Sequence, residues 1–217
     1  MSREYPKIKT LYTRGDNHAV TDTLSDPAFA QIATWLVTEK IDGTNIRITF
    51  SQGENGTWGR TLEGRTSRAQ IPATIVDYVA RNFPVDQLRA VCIGDEPYEF
   101  TLYGEGYGAG IQKGGGNYLP DGVGFALFDV LVSDQWWLDW AGVCDVAGKL
   151  GVETVPGLYF GCAEEDITNL VGDGFYSRVG TARAEGVVAR TDPYLYSKDG
   201  NPIKFKLKTR DFVAGKR

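Results

Sequence analysis

A lysine at position 40 follows an apolar run and precedes a polar turn, in the sequence WLVTEKIDGTN over residues 35–45. An ammonium group at the end of a buried strand must be desolvated or paired, so this placement is unusual. One interpretation is a lysine that extends to solvent beside the DGTN turn. The other is a nucleophilic amine, which needs burial, a nearby cation or a metal to reach its neutral form at neutral pH.

A second cluster of amines lies near the end of the sequence, where IKFKLK over residues 203–208 places a lysine at every second position. Such alternation is typical of a β-strand and puts Lys204, Lys206 and Lys208 on one face. Like charges on one face repel each other unless an anion binds over them, so we interpret this strand as phosphate-facing. These amines would also favour the neutral form of Lys40 if they lay beside it.

A glycine-rich segment, GEGYGAGIQKGGGN over residues 104–117, invites comparison with nucleotide-binding loops. A Walker A loop requires GxxxxGK followed by Ser or Thr, and no lysine of this segment has that context. The dinucleotide-binding GxGxxG pattern opens a helix, whereas a second glycine-rich run follows here. Neither type of phosphate loop fits this segment.

Composition narrows the chemistry further. The 217 residues include one histidine, His18, and three widely spaced cysteines, which disfavours histidine- or cysteine-based zinc sites and a Ser-His-Asp triad. Catalysis would therefore depend on lysine, carboxylates and a metal. The net charge of −5 argues against nucleic acid as a partner, yet residues 198–217 carry seven basic residues against two acidic ones.

Short apolar runs separated by Gly, Asn, Asp and Pro predict strands over residues 45–50, 98–105, 124–132, 157–161, 185–190 and 202–208. Helices are predicted over 71–83, over 138–151 and, more weakly, over 164–172. Asp139 and Gly151 are the expected caps of the second helix. Strands that outnumber helices without βαβ alternation favour an α+β fold with antiparallel sheets. The absence of a long apolar run and of a signal-peptide core predicts a cytoplasmic protein with no membrane contact.

At this point the residues match a known family. The hexapeptide KIDGTN at residues 40–45 resembles motif I, KxDGxN, of the covalent nucleotidyltransferases, which include polynucleotide ligases and mRNA capping enzymes. Further blocks follow in the family's order: GRTSRAQIP (64–72), LYGEGYGAGIQK (102–113), FALFDV (125–130), EGVVAR (185–190) and FKLKTRDF (205–212). The block at 102–113 resembles the glutamate-bearing motif of the RNA ligase 2 family and favours an RNA ligase over a DNA ligase or a capping enzyme.

The resemblance implies a role for each matching residue at the phosphates. Lys40 would form a covalent lysyl-AMP, and Lys206 and Lys208 would grip the α-phosphate. Glu185 would bind a divalent cation, Mg²⁺ or Mn²⁺, or its water shell, since hard cations take carboxylate oxygens. Arg65 would contact a phosphate.

For that phosphate contact, Arg60 in a second RT pair is the competing choice. For the nucleoside, Glu105 would hold the ribose hydroxyls and Phe128 would stack on the adenine, core packing being the alternative for this ring. The resemblance also assigns nucleotide binding to Glu39, Ile41 and Asn45. Of these, Asn45 would orient groups near the metal or the ribose.

As a whole, the resemblance implies an ATP-grasp-like nucleotidyltransferase ligase domain, α+β with antiparallel sheets flanked by helices. We expect one adenylylation domain over residues 1–217, with no C-terminal OB or helical domain. The implied activity is that of an ATP-dependent RNA ligase, which adenylylates an RNA 5′-phosphate and joins it to a 3′-hydroxyl.

The expected partner is RNA with a 5′-phosphate and a 3′-hydroxyl end. The protein is expected to be a monomer, and a partner protein could supply a further RNA-binding domain. Two alternatives stay open. One is a DNA ligase or capping-type nucleotidyltransferase, and the other is a catalytically silent nucleotide- or RNA-binding module of the same fold.

Overall fold

The computed structural model describes residues 3–16, 20–92, 94 and 96–212, and His18 lies outside these residues. The chain divides into two compact units. Unit 1 comprises Met1–Tyr5 and Asp42–Val155, and unit 2 comprises Pro6–Ile41 and Pro156–Arg217. The boundary between Ile41 and Asp42 falls within the KIDGTN motif. The expectation of one domain over residues 1–217 stays a prediction.

Strands dominate both units. They are β1 (Lys9–Thr10), β2 (Tyr12–Arg14), β3 (Val20–Leu24), β4 (Trp35–Lys40), β5 (Thr44–Gln52), β6 (Trp58–Gly64), β7 (Phe100–Gly108), β8 (Val123–Val132), β9 (Trp136–Trp137), β10 (Glu153–Thr154), β11 (Gly157–Cys162), β12 (Gly186–Arg190) and β13 (Lys204–Lys208). The α-helices are α1 (Ala73–Asn82), α2 (Val85–Arg89), α3 (Trp140–Leu150) and α4 (Glu164–Asp173). Short 3₁₀ helices span Pro27–Gln31, Gly115–Asn117 and Thr209–Asp211.

Unit 1 is built on a sheet with the strand order β10-β8-β7-β5-β6, in which β9 pairs with β8. The central pairings β5–β7 and β7–β8 are antiparallel, and only the short β10 runs parallel to its neighbour β8 among the described strands of this sheet. The alternating side chains Ile46, Ile48 and Phe50 of β5 are fully buried, and helices α1 and α3 pack against β8. The period-2 pattern of β5 thus supplies one wall of the core of this unit.

Unit 2 has, within the described residues, a second sheet with the order β1-β13-β12-β4-β11. Strand β12 is antiparallel to both β4 and β13. One face of these strands is apolar and packs with helix α4 in a core cluster that includes Val37, Val187, Phe205, Leu207 and Ile167. The residues that alternate with them face the other way, and in β13 these are the three lysines. The same alternation that buries the core therefore produces a cationic face.

These observations confirm the α+β fold class with antiparallel sheets. Helix α3 begins after Asp139, whose side chain accepts a hydrogen bond from the backbone N–H of Gly142, and ends before Gly151 at φ 64°. Both caps were predicted. Helix α2 and strand β6 were missed, because five residues are too short to show helical periodicity and WGRTLEG has no clear alternation. Among the described residues, none of the helices is long and apolar enough to cross a bilayer.

The guanidinium of Arg60 closes the end of helix α1. Its Nη1 donates to the carbonyl oxygen of Val79 at 2.9 Å and to that of Phe83. The last carbonyls of a helix have no partner inside it, and a cation at this end also complements the helix dipole. Arg60 thus holds α1 to strand β6.

We expect Arg60→Ala to lower the free energy of unfolding by about 1–3 kcal/mol, because charge-assisted hydrogen bonds to partly buried carbonyls are lost. Urea denaturation followed by circular dichroism measures this change. The matched control is Arg65→Ala, at an exposed position just after β6, for which we expect a change within about 0.5 kcal/mol. Equal effects of the two substitutions would contradict the structural role of Arg60.

Candidate active site

Lys40 is the last residue of β4 and lies in an ion-paired cluster of unit 2. Its Nζ is 2.6 Å from Oε2 of Glu185, and the Nζ of Lys208 donates to Oε1 of the same carboxylate. All three side chains are mostly buried, with exposed fractions of 21%, 14% and 17% for Lys40, Glu185 and Lys208. The structure therefore brings together three of the predicted site residues.

Strand register explains this cluster. Gly186 pairs with Lys40 on one side and with Lys208 on the other, so the two lysines stand in one row across three neighbouring strands. Side chains of paired residues share a face, and Glu185 directly precedes the strand between them. A Cβ at position 186 would lie 2.1 Å from the carbonyl oxygen of Leu207, so this close strand packing requires glycine.

The next row toward the interior of the sheet contains Lys206, which pairs with Val188. Val188 in turn pairs with Thr38 of β4. Lys206 therefore lies on the same face as Lys40 and Lys208, one row away. The prediction that IKFKLK forms a strand with its lysines on one face is confirmed.

The Glu185 carboxylate is stabilised in its charged form. Burial raises its pKa, but the charge of Lys40 and the hydrogen bonds from Lys208 and Lys40 outweigh this effect and lower the pKa below its ordinary value of 4.5. The group is consequently ionised at neutral pH. Its negative charge offsets the repulsion between the two ammonium groups. The sequence alone did not reveal that one carboxylate lies between these two lysines.

Glu39, next to Lys40, has an exposed fraction of 1% and faces the opposite side of β4. Its carboxylate accepts a hydrogen bond from the hydroxyl of Ser177 and another from the backbone N–H of Arg178 at 2.8 Å. The side chain of Ile41 is likewise buried, with an exposed fraction of 2%. In the structure Glu39 thus positions a neighbouring loop, and nucleotide contacts by Glu39 and Ile41 stay predictions.

Unit 1 carries the residues predicted to bind the nucleoside. Asn45 of β5 pairs with Glu105 of β7, so the two side chains stand next to each other on one face of the sheet. The Oδ1 atom of Asn45 is buried and makes no hydrogen bond to the described residues. Buried polar atoms are nearly always satisfied, so this oxygen is a candidate acceptor for a ligand.

Phe128 lies at an irregularity of strand β8, where its neighbours Leu127 and Asp129 pair with consecutive residues of β7. Such bulges re-aim a side chain and are frequent near active sites. The ring is half-buried and meets the ring of Tyr5 edge-on, with 5.0 Å between the centroids. This placement leaves part of Phe128 accessible, and stacking on adenine stays a prediction.

Tyr5 is a neighbour of this region that sequence reasoning missed. Its ring also contacts Tyr103 and Trp137, with centroid distances of 5.1 and 5.8 Å, and its hydroxyl donates to the buried carboxylate of Asp129. The segment around position 5 has no periodic pattern and no motif. A single tyrosine before the first strand carried no signal that could have assigned it to this aromatic cluster.

The two arginines that competed for a phosphate contact differ in their surroundings. Arg60 uses its guanidinium on the carbonyls at the end of α1, whereas Arg65 is exposed in the turn after β6. An arginine engaged in helix capping has lost much of its capacity for a ligand. The structure therefore supports Arg65 as the phosphate contact, and that contact itself stays a prediction.

The glycine-rich segment supports the turn that begins at Asp42. The hydroxyl of Tyr118 accepts from the backbone N–H of Asp42 at 3.1 Å, and Nε2 of Gln112 donates to the carbonyl oxygen of Gly43 at 3.1 Å. A Cβ on Gly43 would lie 2.3 Å from the carbonyl oxygen of Gly106. The glycine of KxDGxN is thus required by the close approach of β7, within unit 1.

In the cluster of Lys40, Glu185 and Lys208, a divalent cation would find one protein carboxylate, that of Glu185. No group of three or more His, Cys, Asp or Glu side chains arranged for a metal occurs within the described ranges. Magnesium is commonly held by one or two carboxylates together with phosphate oxygens and water. Glu185, a charged carboxylate paired with two lysines, fits that mode of binding and does not fit a site made of protein ligands alone.

Comparison with known proteins assigns the class. The antiparallel fold, with a motif lysine at the end of a strand beside a motif glutamate and a motif lysine, is that of a nucleotidyltransferase of the ligase type. A family model described as RNA ligase matches residues 33–206, and this chain belongs to the RNA ligase family. Among curated proteins, no sequence matches the chain.

Similar solved structures come from the RNA ligase of Naegleria gruberi. A variant of that ligase with ATP and Mn has 20% sequence identity and a TM-score of 0.65, over 94% of this chain and 57% of that one. The ligase with PPi has 19% identity and a TM-score of 0.65, over 96% and 63% of the two chains. At this identity the likeness concerns the fold, and our chain spans about three-fifths of the length of these structures.

The Glu185 cluster predicts a specific dependence of stability on pH. A carboxylate whose pKa is lower in the folded state contributes stability that is fully present above its unfolded-state pKa of 4.5 and is lost as the pH falls through the folded-state value. We expect Glu185→Gln to cost about 1–3 kcal/mol at neutral pH, because two lysines lose their partner. The difference from the parent protein should shrink as the pH falls below 4.5.

Thermal unfolding at a series of pH values, compared between the parent protein and Glu185→Gln, measures this difference. Glu54→Gln is the control, at an exposed carboxylate in the β5–β6 turn, and should show no such pH-dependent gap. A gap for Glu185→Gln that is constant from neutral to acid pH would contradict the role of the charged carboxylate.

Proposed function

We propose that this chain is an ATP-dependent RNA ligase that acts through a covalent lysyl-AMP at Lys40. The observation that carries the proposal is the cluster of Lys40, Glu185 and Lys208. In this cluster the motif lysine at the end of β4 has a mostly buried side chain and is paired with the Glu185 carboxylate. Membership of the RNA ligase family supports it independently. The Naegleria gruberi ligase has been solved with ATP, Mn and PPi, the reagents and product that such a step requires.

The first step is adenylylation. The neutral amine of Lys40 attacks the α-phosphorus of ATP, a P–N bond forms, and the bond to the β-phosphate oxygen breaks so that pyrophosphate leaves. An ammonium has no free electron pair, so Lys40 must release a proton and its contact with Glu185 before it attacks. The ion pair holds Nζ at a fixed position until then, which is a contribution of orientation.

Lys208 and Lys206 stabilise charge on the transferring phosphate, because their face of the sheet is the one on which Lys40 lies. A divalent cation bound at Glu185 would supply further neutralisation of that charge. In unit 1 we assign the ribose hydroxyls to Glu105, the adenine face to Phe128, a phosphate to Arg65, and an orienting role to Asn45.

The second and third steps use RNA. A 5′-phosphate oxygen of RNA attacks the phosphorus of lysyl-AMP, so the P–N bond breaks and a 5′-5′ pyrophosphate forms. The 3′-hydroxyl of a second RNA end then attacks the RNA phosphorus, a phosphodiester forms and AMP leaves. The proposal includes RNA ends as the partner and Mg²⁺ or Mn²⁺ with ATP as cofactors.

The nucleophile is tested by intact mass after incubation with ATP and Mg²⁺. We expect the parent protein to gain one AMP, whereas Lys40→Ala and Lys40→Arg form no adduct, because arginine stays protonated and alanine has no amine. Lys149→Ala is the control, on the surface of helix α3 where Lys149 pairs with Asp145, and it should form the adduct normally.

Several results would contradict this assignment. An adduct that persists in both Lys40 variants would move the covalent site to another residue. Incubation with each nucleotide in turn distinguishes the capping-type alternative, which would form its adduct with GTP. The absence of an adduct with any nucleotide in the parent protein would favour a catalytically silent module.

The adenine contact is tested by Phe128→Leu in a Lys40→Ala background, where ATP binds without being consumed. Loss of an aromatic stacking face should weaken ATP binding by about 1 kcal/mol or more in calorimetry. Trp136→Leu, at an aromatic position with an exposed fraction of 61%, is the control and should leave ATP affinity unchanged. Unchanged affinity in Phe128→Leu would return this ring to a packing role.

A further inference from the structure

A loop of unit 2, residues 175–184, is fastened to the strand that carries the nucleophile. We call it the arginine loop. Its base is closed by hydrogen bonds from the N–H of Ala184 to Phe175 O and from the N–H of Ser177 to Ala182 O, both at 2.9 Å. The hydroxyl of Ser177 accepts from two N–H groups of the loop and donates to Glu39. This buried carboxylate, one residue before Lys40, therefore fixes the loop.

The side chains that the arginine loop directs outward are aromatic and cationic. Tyr176 has an exposed fraction of 68%, among the largest for an apolar or aromatic side chain in the described residues. The guanidinium carbon of Arg183 lies 5.2 Å from the centroid of the Tyr176 ring. Arg178 is also exposed, and its Nη1 donates to the carbonyl oxygen of Gly157 at 2.7 Å. An exposed ring beside arginines is a surface on which a nucleic-acid base can stack.

A cavity of about 440 Å³ opens next to this loop. Its wall runs from the end of helix α4 to the residues after β13, and includes Arg183, Glu185, Thr209 and Arg210. Because Glu185 also contacts Lys40 and Lys208, the cavity borders the cluster of the proposed nucleophile. Glu185 is thus shared by the cavity wall and the cluster, both within unit 2.

The cavity wall carries two arginines, Arg183 and Arg210, and two carboxylates, Asp173 and Glu185. The Glu185 carboxylate is already paired with Lys40 and Lys208, which lie outside the wall. Arginine forks match phosphate oxygens in geometry as well as in charge. A phosphate that enters the cavity therefore finds guanidinium donors.

We propose that the arginine loop and this cavity bind the 5′-phosphorylated end of an RNA strand. Arg210 contacts its phosphates together with the guanidinium nitrogens of Arg183 other than Nη1, which donates to the carbonyl oxygen of Asp173 at 3.2 Å, and a terminal base stacks on Tyr176. This inference rests on the proposed function and names the surface by which its nucleic-acid substrate is held.

The probe is a short single-stranded RNA with a 5′-phosphate and a fluorescent dye at its 3′ end, and its binding to the full chain is followed by anisotropy. We expect Tyr176→Ala to weaken binding about tenfold and Tyr176→Phe to retain it, because the stacking face remains. Arg183→Ala and Arg210→Ala should weaken binding and each lower the salt slope by about 0.7 to 1. The same RNA with a 5′-hydroxyl should bind the parent protein less tightly.

Matched controls come from exposed residues of the same types elsewhere. Tyr196→Ala removes a tyrosine with an exposed fraction of 48%, and Arg89→Ala removes an exposed arginine of helix α2. Neither should change RNA binding. Arg183→Gln removes the charge, keeps a long polar side chain and replaces Arg183→Ala if that variant fails to fold, as judged by circular dichroism. Adduct formation with ATP, measured on the same preparations by intact mass, should persist in the loop variants.

The outcomes separate this inference from the proposed function. RNA affinity that is unchanged in Tyr176→Ala, Arg183→Ala and Arg210→Ala overturns the inference. A loss of ATP adduct with unchanged RNA binding also overturns it, because the cavity would then hold the phosphates of ATP. A parent protein that forms no adduct contradicts the proposed function, whereas the RNA-binding comparison still decides the role of the arginine loop.

Discussion

The arrangement of unit 2 depends on one carboxylate between two ammonium groups. Without Glu185, the row formed by Lys40 and Lys208 would place like charges next to each other at the edge of a largely buried face. With Glu185 present, both lysines keep defined positions. The carboxylate stays charged because its two lysine partners lower its pKa by more than burial raises it. The chemistry that we propose for Lys40 requires this pairing to be broken, so the same contact that orders the residue also restrains it.

The strands around this cluster are arranged to make that pairing possible. Three neighbouring strands, β13, β12 and β4, present their apolar residues to helix α4 and their polar residues to the opposite face. The register of Gly186 sets Lys40 and Lys208 level with each other, and its missing side chain permits the close approach of β13. A shift of β13 by one residue in its pairing would move Lys204, Lys206 and Lys208 to the face that packs in the core.

Residues outside the KIDGTN hexapeptide make supporting contacts around it. Glu39 faces away from Lys40 and fastens the arginine loop, and the amide of Gln112 and the hydroxyl of Tyr118 hold the turn after Ile41. Each of these groups satisfies or supplies a backbone hydrogen bond, which is a common way to hold a catalytic side chain in place. Lys40 and the turn after it therefore depend on neighbours outside the KIDGTN hexapeptide.

Alternation of apolar and charged residues was enough to predict strand β13 and the common face of its lysines, and cap residues were enough to place helix α3. The order of the motifs predicted the family, which the family model confirms, and the resemblance assigned roles to Lys40, Glu105, Phe128 and Glu185 that stay predictions. Tertiary structure alone decided which of these groups meet. The pairing of Lys40 with Glu185 joins residues 145 positions apart, and the register that creates it depends on packing against α4. The engagement of Arg60 by a helix end, the place of Tyr5 beside Phe128 and the anchoring of the arginine loop by Glu39 likewise arise from contacts between distant segments, for which a single sequence holds no local signal.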